Sequence, residues 1–215
     1  MTENIRFLPV DLRIHRSQVI DLNVEHLSWV EKEMKERYKI DIFADTGTSV
    51  REYVTSTIEK LCSDVPPQGI YYLLELDNAI IGMGALRQVK KNIGEIKRMY
   101  IRPAYRGKGY GKALLHQLLH KAKEFGYHSV YLDSGPFMTA AQHLYRSVGF
   151  IERNEYPETE VPPQLWSQWV FMKKTLKDAT KWTHVFLSEM EKGATTRVLP
   201  SIDSLQPVFG LTEKL

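Results

Sequence analysis

The chain has 215 residues and a net charge of +3, enough for one domain with a full core and too little for two of ordinary size. Its single cysteine, Cys62, excludes an internal disulfide framework. No stretch approaches the roughly 20 apolar residues of a membrane span, and the start MTENIRFLPV lacks the apolar run of a secretory leader, so a soluble cytoplasmic protein is expected.

In chain order, Ile5 to Leu8 reads as a short strand. From Ser17 to about Tyr38, Val19, Ile20, Asn23, Leu27, Val30, Met34 and Tyr38 line one face of a helix. Ser49 followed by Glu52 makes a capping box for a second helix reaching about Cys62. After Pro66 and Pro67, the runs Ile70 to Leu76 and Ala79 to Val89 flank Asp77 and Asn78 as a hairpin, with Gly82 and Gly84 marking a bulge or a close approach. A turn at Lys90 to Gly94 leads into a third strand, Glu95 to Ile101.

The stretch that follows carries the chemistry. Arg102 to Tyr110 reads as a loop, and Gly111 to Phe125 as a helix with Leu114, Leu115, Leu118, Leu119, Ala122 and Phe125 on one face and Gly126 as its stop. Gly107, Gly109 and Gly111 alternate with Lys108 and Tyr110 where that helix begins. Such a backbone can curl so that N–H groups at the positive end of the helix dipole meet one anion. A Walker loop and a dinucleotide GxGxxG both fail at Lys112, which stands where a glycine is required, and Ala113 follows it. From Arg87 to Lys112 the chain carries nine basic residues and one acid, while the remainder is net negative. A polyanionic cofactor accounts for that concentration; nucleic acid would call for interleaved aromatics or a basic helix, and neither is present.

Ser129 to Asp133 reads as a strand, Met138 to Ser147 as a helix stopped by Gly149, and Phe150 to Glu155 and Gln168 to Leu176 as two last strands joined by a proline-rich acidic loop. Residues 177–215 are expected to form an extension whose apolar residues pack on their own domain or on a second copy, leaving a homodimer open.

The pattern met by Arg106, Gly109 and Gly111, between a strand and a helix and followed by AAQHLYRSVGF, resembles the GNAT superfamily of acyl-CoA N-acyltransferases. The likeness covers about 70–176 firmly and the N-terminal helices more loosely. It implies a GNAT-like α/β fold: a mixed, mostly antiparallel twisted sheet of about seven strands with helices on both faces, occupying 1–176, with acceptor-side helices in 1–66 and a cofactor core in 70–176. It further implies direct transfer of acetyl from acetyl-CoA, as co-substrate and without a metal, to a primary amine of a small molecule or a protein. The alternatives are a degenerate acyl-CoA sensor and a nucleotide-phosphate enzyme.

By that resemblance Tyr145 protonates the departing thiolate and Glu95, where one branch of the family places its base, accepts the amine proton. The main chain of Met99, Tyr100 and Ile101 pairs with the pantetheine arm, and Arg106, Gly107, Lys108, Gly109, Tyr110, Gly111 and Lys112 hold the pyrophosphate. Met138 stands where the family often has an asparagine, with Thr139 as a replacement contact. Asp133 and Glu155 are lesser acid–base candidates, and Glu155, Glu158 and Glu160 are expected to attract an ammonium ion. His116 and His120 in HQLLH lack the glutamate of a zinc-protease helix, Gln117 taking its place, and Cys62 has no matching His and Asn signature.

Overall fold

The computed structural model describes residues 4–43 and 47–176. The extension expected at 177–215 lies outside the described residues. Seven strands form one sheet in the order β1-β2-β3-β4-β5-β7-β6. They are β1 (Ile5–Pro9), β2 (Ile70–Leu76), β3 (Ala79–Lys90), β4 (Ile93–Ile101), β5 (Ser129–Ser134), β6 (Ile151–Arg153) and β7 (Val170–Thr175). Pairing is antiparallel throughout except between β4 and β5. This is the mixed, mostly antiparallel sheet expected from the sequence.

Four α-helices cover it: α1 (Leu12–Tyr38), α2 (Val50–Leu61), α3 (Tyr110–Glu124) and α4 (Thr139–Ser147). Helix α1 begins five residues earlier than its apolar pattern predicts, because Asp11 caps it by accepting from the Arg13 amide at 2.9 Å. The predicted box at Ser49 and Glu52 forms in full and starts α2.

Alternation along the strands feeds two cores. On one face Ile70, Tyr72, Leu86 and Ile96 pack with Leu114, Leu115 and Leu118 of α3; on the other Tyr71, Leu73, Met83, Ala85 and Tyr100 pack with α1 and α2 through Val19, Leu22, Val54 and Ile58. Each fully buried leucine contributes about 1.5–3 kcal/mol. Gly84 is what lets α3 lie so close: a Cβ there would stand 3.0 Å from Leu118 Cδ1 and 3.1 Å from Leu114 Cδ2.

The loop between β6 and β7 is anchored by a third apolar cluster, in which Tyr156, Val161 and Leu165 are buried with Val30, Met34 and Phe171.

Candidate active site

Two irregularities of the sheet create the site. Strands β4 and β5 pair only from Ile93 opposite Ser129 to Glu95 opposite Tyr131; β5 stays paired with β7 as far as Ser134, while β4 continues to Ile101 without it. The two strands therefore splay. In the same part of β4, Lys97 pairs with Ala85 and Tyr100 with Met83, so Arg98 and Met99 together face the single residue Gly84. This is a bulge, and Arg98 takes the left-handed φ of 57° that accommodates it.

A cavity of about 320 Å³ occupies the opening, with Arg98 and Met99 on one side and Ser134, Gly135, Met138 and Tyr145 on the other. Tyr145 is buried and its ring lies 5.9 Å from that of Phe150. Its hydroxyl makes no hydrogen bond within the described residues. Burial first, and the charge of Asp133 second, push its pKa up, so it enters the cavity as a neutral donor.

The glycine loop adjoins β4. Gly107 and Gly109 have φ of 77° and 88°, and a Cβ on either would meet nothing within 4 Å. Gly109 is the N-cap of α3 and no side chain caps the helix, so the first-turn amides of Gly111 and Lys112 have no carbonyl partner within it. Tyr110 anchors this turn, buried with Leu74 and Ile81. Its side chain is thus part of the core, which leaves its main chain to the loop. Arg106 is exposed but folded back along the loop: Nε donates to Ile101 O at 2.8 Å and the guanidinium lies over Trp29 and Tyr100 at 5.3 and 5.4 Å. Lys108 and Lys112 are exposed.

The side chains of Met99 and Ile101 pack toward the α3 core and that of Tyr100 toward the α1/α2 core, which leaves their main chain as what they offer. Thr139 is exposed at the start of α4 and does not line the cavity; Met138 does. His120 pairs with Glu124 at 2.9 Å across one helical turn. Among the described residues, no group of three or more His, Cys, Asp or Glu stands where it could hold a metal, and no helix is long and apolar enough to cross a membrane.

Glu95 stands in β4 as the sequence predicts, but enclosed: its side chain is 0% exposed and does not line the cavity of the wedge. One carboxylate oxygen accepts a short hydrogen bond from the Tyr156 hydroxyl, and the other accepts from Arg87 Nε at 2.6 Å. Burial pushes its pKa up, against the pull of Lys97, Arg87 and the Tyr156 hydroxyl. The expected acidic lip is likewise engaged: Glu160 meets Lys97 at 2.5 Å, Arg87 at 3.0 Å and Arg98 at 3.6 Å, and Glu158 meets Lys90 at 2.9 Å. The charges of Glu158 and Glu160 are thus neutralised by cations of β3 and β4, whereas the exposed Glu155 side chain forms no ion pair among the described residues.

Tyr156, Arg87 and Arg98 were not legible as site residues. Tyr156 and Glu95 are 61 positions apart, Arg87 and Glu160 are 73 apart, and no local pattern links them. His26, which also lines the cavity, carries a buried Nδ1 without a partner among the described residues. Burial first, then Arg98 and Arg106, push its pKa down to about 3, so it is neutral.

The sequence of this fold matches a family profile described as the acetyltransferase (GNAT) family over residues 27–150, more than half of the chain. The chain belongs to that family. It is 30% identical over 110 residues to the uncharacterized N-acetyltransferase YjgM of Escherichia coli, covering 50% of this chain and 65% of that one. It is 31% identical over 108 residues to human N-acetylaspartate synthetase, covering 47% of this chain and 36% of that one. The match thus spans less than two thirds of the length of either relative. In fold it resembles the PaiA N-acetyltransferase of Thermoplasma acidophilum, solved in complex with coenzyme A, with a TM-score of 0.57 and 18% identity over 82% of this chain and all of that one, 100%.

Proposed function

We propose that this GNAT chain transfers an acetyl group from acetyl-CoA to a primary amine by direct attack within a ternary complex. The observation that carries the reading is the open wedge between β4 and β5, with the glycine loop at one end and the neutral Tyr145 hydroxyl in its wall. The coenzyme A in the complex of the related fold supports the choice of co-substrate.

In this reading the amides of Gly109 and Gly111 take the pyrophosphate, for which the space beside Gly107 and Gly109 is open. Arg106 stiffens the loop through Ile101 O and the Trp29 ring. Main chain at Met99 to Ile101, unpaired with β5, pairs with the pantetheine arm as an added strand, and an N–H there steadies the thioester oxygen as it becomes anionic. The neutral amine attacks the thioester carbonyl; the C–N bond forms and the C–S bond breaks. Tyr145 gives its proton to the thiolate and regains one, through cavity water, from the nitrogen that has just become an amide. Glu95, with both oxygens engaged by Tyr156 and Arg87, acts as a positioning residue that fixes the β4 side of the cleft.

The test is thiol release from acetyl-CoA across a panel of primary amines, which should reveal at least one acceptor whose N-acetyl product is identified by mass. Stoichiometric acetyl-CoA binding with no thiol release from any amine or protein lysine would leave a sensor in place of an enzyme.

A further inference from the structure

The bulge in β4 delivers an arginine to the acceptor side. Ile96 and Met99 pack toward α3, whereas Lys97 and Tyr100 face α1 and α2, so Arg98 is the extra residue in the alternation. Its side chain lines the cavity of the wedge and also a second one, of about 390 Å³, between α2 and strands β3 and β4. Tyr53, Lys97 and Glu160 line both as well, so the two spaces meet at Arg98.

Asp64 and Asp133 also line these cavities, but neither pairs with Arg98. Arg87, Lys97 and Arg98 share Glu160 and Glu95 as their carboxylate partners, and Arg98 reaches only Glu160, at 3.6 Å. Glu160 is better engaged by Lys97 and Arg87. The Arg98 side chain is nevertheless only 12% exposed. A guanidinium has five N–H donors, and no hydrogen bond to a described residue satisfies those of Arg98. Neighbouring His26 is neutral and supplies no anion. A largely buried, under-partnered guanidinium facing a cavity selects a carboxylate, which it can grip with two parallel hydrogen bonds.

We propose that the acceptor amine also bears a carboxylate, as an amino acid does, and that Arg98 holds it where the two cavities meet. This rests on the acetyl-transfer reading and adds the substrate class. It also reverses the expectation drawn from the acidic loop: the acceptor is recognised here by its negative end.

The test pairs L-amino acids with their carboxamides in the thiol-release assay, for the wild type and Arg98→Gln, with calorimetry of acetyl-CoA and of N-acetyl-L-amino acids beside it. The best amino acid should exceed its amide by about 10- to 100-fold in kcat/KM, the range of a charge-assisted hydrogen bond. Arg98→Gln should bring the pair near parity through the amino acid's loss, with acetyl-CoA affinity kept. Equal use of acid and amide by the wild type overturns the proposal. So does a fall in acetyl-CoA affinity in Arg98→Gln matching the fall in turnover, which would give Arg98 to the cofactor. If no amine turns over, the acetyl-transfer reading fails separately, and binding of N-acetyl-L-amino acids decides: affinity lost in Arg98→Gln supports the carboxylate site, and no affinity in the wild type refutes it.

Discussion

Two regions beside the wedge are built on different principles. The one toward α3 is local: the glycine loop, its left-handed φ values and the helix it opens all lie between Arg106 and Glu124. The one toward α1 and α2 is an ion-pair network of Arg87 on β3, Glu95, Lys97 and Arg98 on β4, and Tyr156, Glu158 and Glu160 on the loop before β7. A local device is written in spacing, because glycine and helix caps state their geometry at their own positions. An ion-pair network across 60 or more positions is written only in the fold.

The largest effect is expected in the cavity between them, on the side facing Arg98 and Met99. Tyr145→Phe should lower turnover by about 10²- to 10⁴-fold, the usual worth of a positioned proton donor, while acetyl-CoA affinity and melting temperature stay near wild type. The hydroxyl binds no described residue, so the fold loses little with it. Turnover unchanged when chemistry limits the rate would return Tyr145 to a packing role and make the cavity wall merely apolar.

The network side is tested by Glu95→Gln, which keeps shape and removes charge. Losing the acceptor of Arg87 in a buried setting should cost about 3 kcal/mol in urea denaturation at neutral pH. The sign of the pH dependence follows from the raised pKa of Glu95: the folded protein binds this proton more tightly than the unfolded chain, so its contribution grows as pH falls through the folded pKa toward the unfolded one. The stability gap between wild type and Glu95→Gln should therefore widen on mild acidification. Glu160 runs oppositely. Burial disfavours its charge, but Lys97, Arg87 and Arg98 hold its pKa low, so its contribution is present above the unfolded pKa and is lost as pH falls through the folded one. A gap that narrows on acidification would mean Glu95 is ionised more readily in the fold than out of it.

On the loop side, Gly109→Val puts a β-branched residue at φ 88°. Backbone strain costs about 1–2 kcal/mol, and with no neighbour within 4 Å of the new Cβ the fold should survive. Acetyl-CoA affinity, read by calorimetry, should drop at least about tenfold through loss of one charge-assisted contact. Wild-type affinity in a folded variant would remove the pyrophosphate from this loop.

How much was legible follows the same division. The meander β2-β3-β4, the α2 capping box, the α3 face and the Gly126 stop all appear where periodicity and glycine place them, because each is decided within a few residues. The role of Glu95 is different. A strand-end glutamate reads the same whether it faces water or, as here, a tyrosine 61 positions later. Arg98 was invisible for a further reason: strict alternation sends it to the α3 face, and only the bulge, set by the pairing of β3 with β4, turns it to the other.

The smallest effect concerns the acidic loop, and it separates the two readings of that region most cleanly. If free carboxylates there drew in an ammonium ion, replacing Glu158 would raise KM for the best acceptor, more so at low salt, where screening is weak. Glu158 is instead paired with Lys90 at 2.9 Å, and that pair holds its pKa low, so its charge is spent on β3 and not on the cleft. Water and salt screen an exposed pair of this kind, so it contributes little to stability. Glu158→Gln is therefore expected to leave KM within about twofold of wild type at low and at high ionic strength, with a melting shift of about 2–4 °C at most. A KM that rises several-fold at low salt and recovers at high salt would restore the acidic lip, and with it an acceptor recognised by its positive end.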